Sequence, residues 1–264
     1  MINNPVITID GPSGSGKGTV AIAVADMLGW HVLDSGALYR IVAYSALRQG
    51  LSFDDPEKLS AMVSDLVIDF KHPDPTLEIY VDGQIVTRDL RTDRVSKAAS
   101  VAAQYKAVRS SLLALQRKFR RPPGLVADGR DMGTVVFADA PLKIYLDASV
   151  EVRAARRYKQ LKEKGLNGTF RGLSDVKSAC TKHDLRGVQV SDRNMSEIDA
   201  NENINLQEIR VNIAERDEQD KGRQTSPLVR AEDAIFIDST NLAVENVINE
   251  IIKHARLRSL TTVC

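Results

Sequence analysis

The stretch VITIDGPSGSGKGT, residues 6–19, constrains the fold more than any other part of this 264-residue chain. Val6, Ile7, Thr8, Ile9 and Asp10 make an apolar run of the kind buried on both faces of a parallel sheet. Gly11 to Thr19 follows at once, and Val20, Val24, Met27 and Leu28 then recur at the spacing of one helical face. A strand running into a glycine-rich loop and a helix N-terminus is the context in which Gly11-x-x-x-x-Gly16-Lys17 cradles phosphate. Glycine lets the backbone curl until successive N–H groups point at phosphate oxygens. The helix start adds unpaired donors and partial positive charge, and Lys17 supplies an ammonium for the β- and γ-phosphates. Gly11, Pro12, Ser13, Gly14, Ser15, Gly16, Lys17, Gly18 and Thr19 are therefore the expected donor-phosphate loop. Gly18 stands where a hydroxyl residue commonly follows the lysine, and Thr19 comes one later. Whether Thr19 meets Mg²⁺ directly or through water stays open.

Composition sets the surroundings. The 36 basic and 35 acidic residues give a net charge of +1, which is no argument for a nucleic-acid or membrane surface. Cys180 and Cys264 lie far apart with no metal or disulfide spacing, so a reducing cytoplasm is expected. The N-terminal MINNPVITID has no basic segment before a long apolar run, and no signal peptide is expected. No apolar stretch approaches the roughly 20 residues that a membrane helix needs. The expectation is a monomer acting on small molecules.

Further along, Trp30–Asp34 makes a second short strand, and Ser35-Gly36-Ala37-Leu38-Tyr39-Arg40 turns into a helix. Tyr39 offers a stacking face and Arg40 a planar fork suited to phosphate; the alternative is a core tyrosine and a solvated arginine. Leu66–Lys71 reads as a strand and His72–Pro75 as a turn. Leu77, Ile79 and Val81 then alternate with polar residues up to the hairpin signal Asp82-Gly83, and Gln84–Thr87 returns. Helical sequence fills Ser96–Arg121. Leu125–Ala127 is a buried strand with Asp128 at its carboxyl end, the edge where open α/β sheets bind ligands. Lys143–Ala148 is another core strand, followed by a helix bearing Arg153, Arg156 and Arg157, of which Arg153 and Arg157 either point inward at phosphates or are solvated. Ala234–Asp238 is the last strand, and Ser239-Thr240 is expected to open a final helix with Val244, Val247, Ile248, Ile251 and Ile252 inward.

Four motifs in order, GPSGSGKGT, DSGALYR, DGRDMGTVVF and a late ERD, resemble the bacterial cytidylate kinases among the nucleoside monophosphate kinases. The resemblance covers nearly all of residues 5–256. It implies an α/β P-loop fold of three layers around a parallel sheet, with an α+β acceptor insert over residues 36–122 and a helical lid over 165–228 within one domain spanning 1–264. It implies ATP as donor, Mg²⁺, and CMP with dCMP as acceptors. Ser35, Tyr39, Arg40, Ser100, Arg109, Arg130, Asp131 and Arg223 would line the CMP site; for Ser100 and Arg109 nothing but the resemblance says so. Lys17, Arg130, Arg216 and Arg223 would act on the transferring phosphoryl group. Asp131 would read the cytosine amino group, and chemistry agrees, since a carboxylate accepts from an exocyclic amine. The alternative is that Arg130 and Asp131 merely pair with each other. Asp128, with Thr19, would hold Mg²⁺ through water.

Two departures from the family stand out. Residues 166–203, polar and poor in large apolar side chains, separate the Arg153 helix from Glu215-Arg216-Asp217 and are expected to form an exposed insertion. Cys180, His183 and Asp184 within it make no metal site. Gln219 and Lys221 stand where arginines are common, which lowers the charge of the lid.

Overall fold

The computed structural model describes residues 4–71, 77–163, 205–223 and 225–260. The chain begins β1 (Val6–Asp10), α1 (Lys17–Leu28), β2 (His31–Asp34), α2 (Ser35–Gln49), α3 (Pro56–Asp65), β3 (Ile68–Lys71), β4 (Glu78–Val81) and β5 (Gln84–Ile85). It continues α4 (Asp93–Ala102), α5 (Lys106–Lys118), β6 (Leu125–Gly129), β7 (Leu142–Asp147), α6 (Val150–Glu163), α7 (Leu206–Lys221), β8 (Ile235–Asp238) and α8 (Val244–Leu257).

The five core strands lie in the order β2-β6-β1-β7-β8 and every pairing is parallel. β1 is central, with Val6 opposite Leu125 and Ile7 opposite Leu142. Its five residues are all buried, because helices cover both faces. Val6, Leu33, Leu125 and Ala127 face α2 and the segment between α2 and β6, while Ile7, Ile9, Val126, Ile144 and Ile237 face α1 and α8. A parallel sheet puts all its carboxyl ends on one edge. Gly11, Ser35, Arg130 and Ala148 leave their strands at that edge, and the site is built there.

Between α2 and β6 a second layer is inserted. Its antiparallel sheet β3-β4-β5 turns at Asp82-Gly83, both left-handed at φ 50° and 78°, as the hairpin signal required. Phe70 of β3 meets Phe119 edge-on at 5.3 Å, which ties this sheet to the end of α5.

Several boundaries differ from expectation for local reasons. β2 begins at His31, because the N–H groups of Gly29 and Trp30 donate to Asp26 and Ala25 to close α1. The Leu66 N–H likewise closes α3 on Val63. The helical stretch 96–121 is two helices, broken near Ala103–Tyr105, the first of them capped by the Thr92 hydroxyl on the Val95 N–H. The final helix starts at Val244, and Ser239-Thr240 serves the site instead. The turn at His72–Pro75, the insertion at 166–203 and Cys180, His183 and Asp184 lie outside the described residues.

Gly11 shows how closely the loop sits on the sheet. At φ 150°, a Cβ there would lie 2.0 Å from the Leu146 carbonyl oxygen of β7, whereas one at Gly50 (φ 66°) would meet nothing within 4 Å. Gly11→Ala is expected to cost about 3 kcal/mol in urea unfolding, since backbone cannot step aside. Gly50→Ala should cost only the left-handed backbone, about 1 kcal/mol. Equal losses would mean that β7 yields.

Candidate active site

The phosphate loop is shaped by where its carbonyls go. Pro12 O accepts from Lys17 Nζ (2.7 Å) and Ser15 Oγ (3.1 Å). Ser13 O accepts from Arg153 Nη1 (2.9 Å), and Ser15 O from Arg156 Nη1 (3.2 Å). Arg156 is itself held on Ser239, its Nη2 donating to that residue's carbonyl at 2.6 Å. Gly16, left-handed at φ 97°, opens α1 with no side chain capping it. The first-turn N–H groups of α1 therefore have no acceptor from the helix or a cap, the condition for an anion site.

Lys17 is buried among charges. Burial, and then the Arg130 guanidinium, push its ammonium well below the ordinary lysine range. Burial and neighbouring Asp34 push the Asp128 carboxyl up. Asp128 Oδ1 is buried with no hydrogen-bond partner among the described residues, and Oδ2 would lie 3.9 Å from a Cβ on Gly18. A carboxylate with a vacant lone pair beside the first turn of α1, and Thr19 exposed on that turn, fits a hydrated divalent cation carried in on phosphates. Among the described residues no cluster of His, Cys, Asp or Glu could hold a metal alone.

The strand β6 delivers the residues expected on the acceptor side. After Gly129 the chain makes a single π-type turn over Met132–Val136. That turn is tied to β1 by Asp10, whose carboxylate accepts from Met132 N–H (2.9 Å) and Gly133 N–H (2.7 Å). Burial raises the Asp10 carboxyl to about 6 in spite of those two donors. Arg130 and Asp131 do not pair with each other. Asp131 binds Arg109 of α5 at 2.5 Å, both buried, and the Arg109 guanidinium lies 5.6 Å from the centre of the Tyr39 ring. Burial pushes the Tyr39 hydroxyl up to about 12. Ser35 is buried against Gly129, where an added Cβ would strike its hydroxyl. Asp34 caps α2 through the Ala37 N–H (2.9 Å) and stands 3.9 Å from Arg40.

Helix α7 closes the site from above. Its inward face runs Ile209, Ile213, Asp217, Asp220. Asp220 takes Arg130 on one oxygen (2.6 Å) and Arg223 on the other (2.5 Å). Burial alone would raise this carboxyl, but Arg130 and Arg223 hold it below the usual range. Arg216 is lowered to about 10 by burial and by Arg130, with Arg40 and Arg223 adding to the effect. Arg40, Arg130, Arg216 and Arg223 thus converge opposite Lys17. Ser100, on α4, turns its hydroxyl back to Ser96 O (3.2 Å), and no described hydrogen bond or ion pair joins it to this cluster.

A family model for cytidylate kinase matches residues 7–189 and 186–257. The chain is 43% identical over 254 residues to the cytidylate kinase of Klebsiella pneumoniae (strain 342), covering 96% of each. It is 44% identical over 252 residues to that of Enterobacter sp. (strain 638), covering 96% of this chain and 95% of the other. The chain belongs to the cytidylate kinase family. Its departures at Gln219 and Lys221 fall on exposed positions of α7, with Lys221 facing Glu218 at 3.9 Å.

Sequence reasoning missed Asp10, Arg156 and Asp217, and left Arg153 undecided. Arg153 is 4% exposed and points at backbone carbonyls. A signal was present: Asp217 and Asp220 stand where the spacing of Ile209 and Ile213 calls for apolar residues.

Asp10 gives a pH test. Its carboxyl titrates near 6 when folded against an ordinary 3.8, so the folded chain keeps the proton longer. The stability this adds is complete below about pH 4 and is lost as pH rises through 6, about 3 kcal/mol in all. Asp10→Asn cannot titrate there. From pH 4 to pH 7 wild type should therefore lose about 3 kcal/mol relative to that variant in urea unfolding. A constant gap would place the Asp10 carboxyl in the ordinary range.

Proposed function

We propose that this chain transfers the γ-phosphoryl group of ATP to CMP, and to dCMP, giving ADP and the cytidine diphosphate. Membership of the cytidylate kinase family supports the reaction. The observation that supports the site assignment is the convergence of cations, with buried Lys17 on the loop opposite the partly buried Arg130, Arg216 and Arg223, and Asp220 paired with Arg130 and Arg223.

An oxygen of the CMP phosphate forms a bond to the γ-phosphorus as the β–γ bridging oxygen leaves with its electron pair on ADP. No protein base is required, because the acceptor is already an anion. The work is positioning and charge neutralisation. The loop N–H groups and Lys17 hold the donor phosphates, whose negative charge favours the ammonium form of the lysine. Arg40 and Arg130 orient the acceptor phosphate, while Arg216 and Arg223 face the charge on the group in flight. Mg²⁺, when bound on the phosphates, would neutralise their charge, with Asp128 and Thr19 holding its water. Asp131, fixed by Arg109, faces the cytosine amine. Uracil would offer it a carbonyl and leave a buried acceptor unpaired, at about 1–3 kcal/mol or more. On this reading residues 36–122 form the acceptor insert and 165–228 the lid, in a cytoplasmic monomer that takes free nucleotides.

ADP release with ATP, Mg²⁺ and each of CMP, dCMP, UMP, AMP or no acceptor tests this directly. Signal is expected with the two cytidylates and background elsewhere; equal signal with UMP or AMP would overturn the acceptor assignment. Lys17→Ala should abolish transfer. Asp131→Ala should lower the CMP-to-UMP ratio of kcat/KM about 10- to 100-fold, and an unchanged ratio would remove Asp131 from base reading.

A further inference from the structure

Arg153 spends one buried guanidinium on three separate parts of the chain. Its Nε donates to Ala148 O (2.8 Å) at the entry of α6, and its Nη1 to Ser13 O (2.9 Å) in the phosphate loop. Its Nη2 binds Asp217 Oδ2 (2.6 Å) on α7. The loop rests directly on this residue, since a Cβ on Gly14 would come within 3.2 Å of Arg153 Cβ and 3.3 Å of its carbonyl oxygen. Asp217 is 5% exposed and follows Arg216 immediately. One turn on, Asp220 binds Arg130 and Arg223 on the acceptor side. Two carboxylates of one helix therefore grip opposite walls of the site, one through Arg153 to the donor loop and one through Arg130 to the acceptor turn.

Arg153 gives its donors to protein groups, the carbonyls of Ala148 and Ser13 and the Asp217 carboxylate, so its action on substrate would be indirect. The planar fork fixes both contacts at once: a shift of the loop backbone moves Nη1, and Nη2 with it. Swinging α7 away would break the Arg153–Asp217 ion pair and release the guanidinium that holds the Ser13 carbonyl. We propose that Arg153 is a positioning residue that sets the donor-phosphate loop and the lid helix in one register, so that loading of the ATP phosphates and closure of α7 favour each other. Binding of CMP to the ATP-free enzyme does not use this link. The inference rests on the loop being the ATP site.

The test compares wild type, Arg153→Lys, Asp217→Asn and the double variant. Lysine keeps the charge but cannot span the two contacts. Arg153→Lys should raise KM for ATP and lower kcat, each about 10-fold or more, as expected when a bound group is misplaced by a fraction of an ångström. The dissociation constant of CMP without ATP, read by calorimetry, should stay within about twofold. Asp217→Asn should lower kcat in the same direction. The double variant should be no worse than Arg153→Lys alone, because both changes break one contact. Unchanged constants, additive effects, or ATP and CMP constants rising together would each overturn the proposal. Thermal unfolding without nucleotide identifies a variant that fails to fold, and the isosteric Asp217→Asn then decides alone. Failure of wild type to phosphorylate CMP would instead be a failure of the proposed function.

Discussion

Like charges gathered at one edge of a sheet repel, and the structure depends on how that repulsion is held in check. Lys17, Arg40, Arg130, Arg216 and Arg223 come together because parallel strands release their loops on the same side. Asp220 is the counter-ion for two of them: buried, it takes Arg130 on one oxygen and Arg223 on the other, while Asp34 stands by Arg40 and Asp128 by Lys17. It leaves Arg216 with a guanidinium lowered by burial and by its neighbours. The field of such a cluster is relieved only by more negative charge, which phosphates bring. Electrostatic strain at rest and affinity for a polyanion are two descriptions of one arrangement.

Rigidity on the donor side has a different origin. A glycine-rich loop is free to adopt many conformations, and its N–H groups would bind phosphate poorly if each had to be ordered on arrival. Here the carbonyls of Pro12, Ser13 and Ser15 are already taken, by Lys17, Arg153 and Arg156 in turn. Charged donors to backbone carbonyls make stronger bonds than neutral ones, so the loop is held from outside by helix α6 while its inner rim stays open. Gly11 and Gly14 permit this only because they lack a side chain: Gly11 lies against Leu146 of β7 and Gly14 against Arg153.

Much of the fold was legible because local and global preferences agree. VITID is apolar without alternation and is buried on both faces; Asp82-Gly83 is a two-residue hairpin and turns as one. The turn from β1 through Gly11–Thr19 into α1 was legible because glycines at fixed spacing let the backbone curl between a strand and a helix. The partners were not. Nothing near Asp131 in sequence announces Arg109, 22 residues away, nor does Asp220 announce Arg130, 90 residues away. Such pairs are set by which helix crosses which strand end, and a single sequence carries no record of that. Ser239-Thr240 misled for a related reason: a hydroxyl pair before an apolar run looks like a helix cap. In the fold the Thr240 hydroxyl accepts from the Ser149 N–H, while Ser239 presents its carbonyl to Arg156.

Helix α7 shows why a sequence departure can be chemically silent. Gln219 and Lys221 stand on α7 where the family resemblance leads one to expect arginine, which taken alone suggests weaker phosphate binding. A helix, however, presents only every third or fourth residue to what it covers. Ile209, Ile213, Asp217 and Asp220 form that buried row, while Gln219 and Lys221 look outward. A cation on the outward face is screened by water and adds little to a site on the far side of the helix. What the inward face needs is a pair of carboxylates at the spacing of one turn, each matched to an arginine from a different wall, and this chain has both.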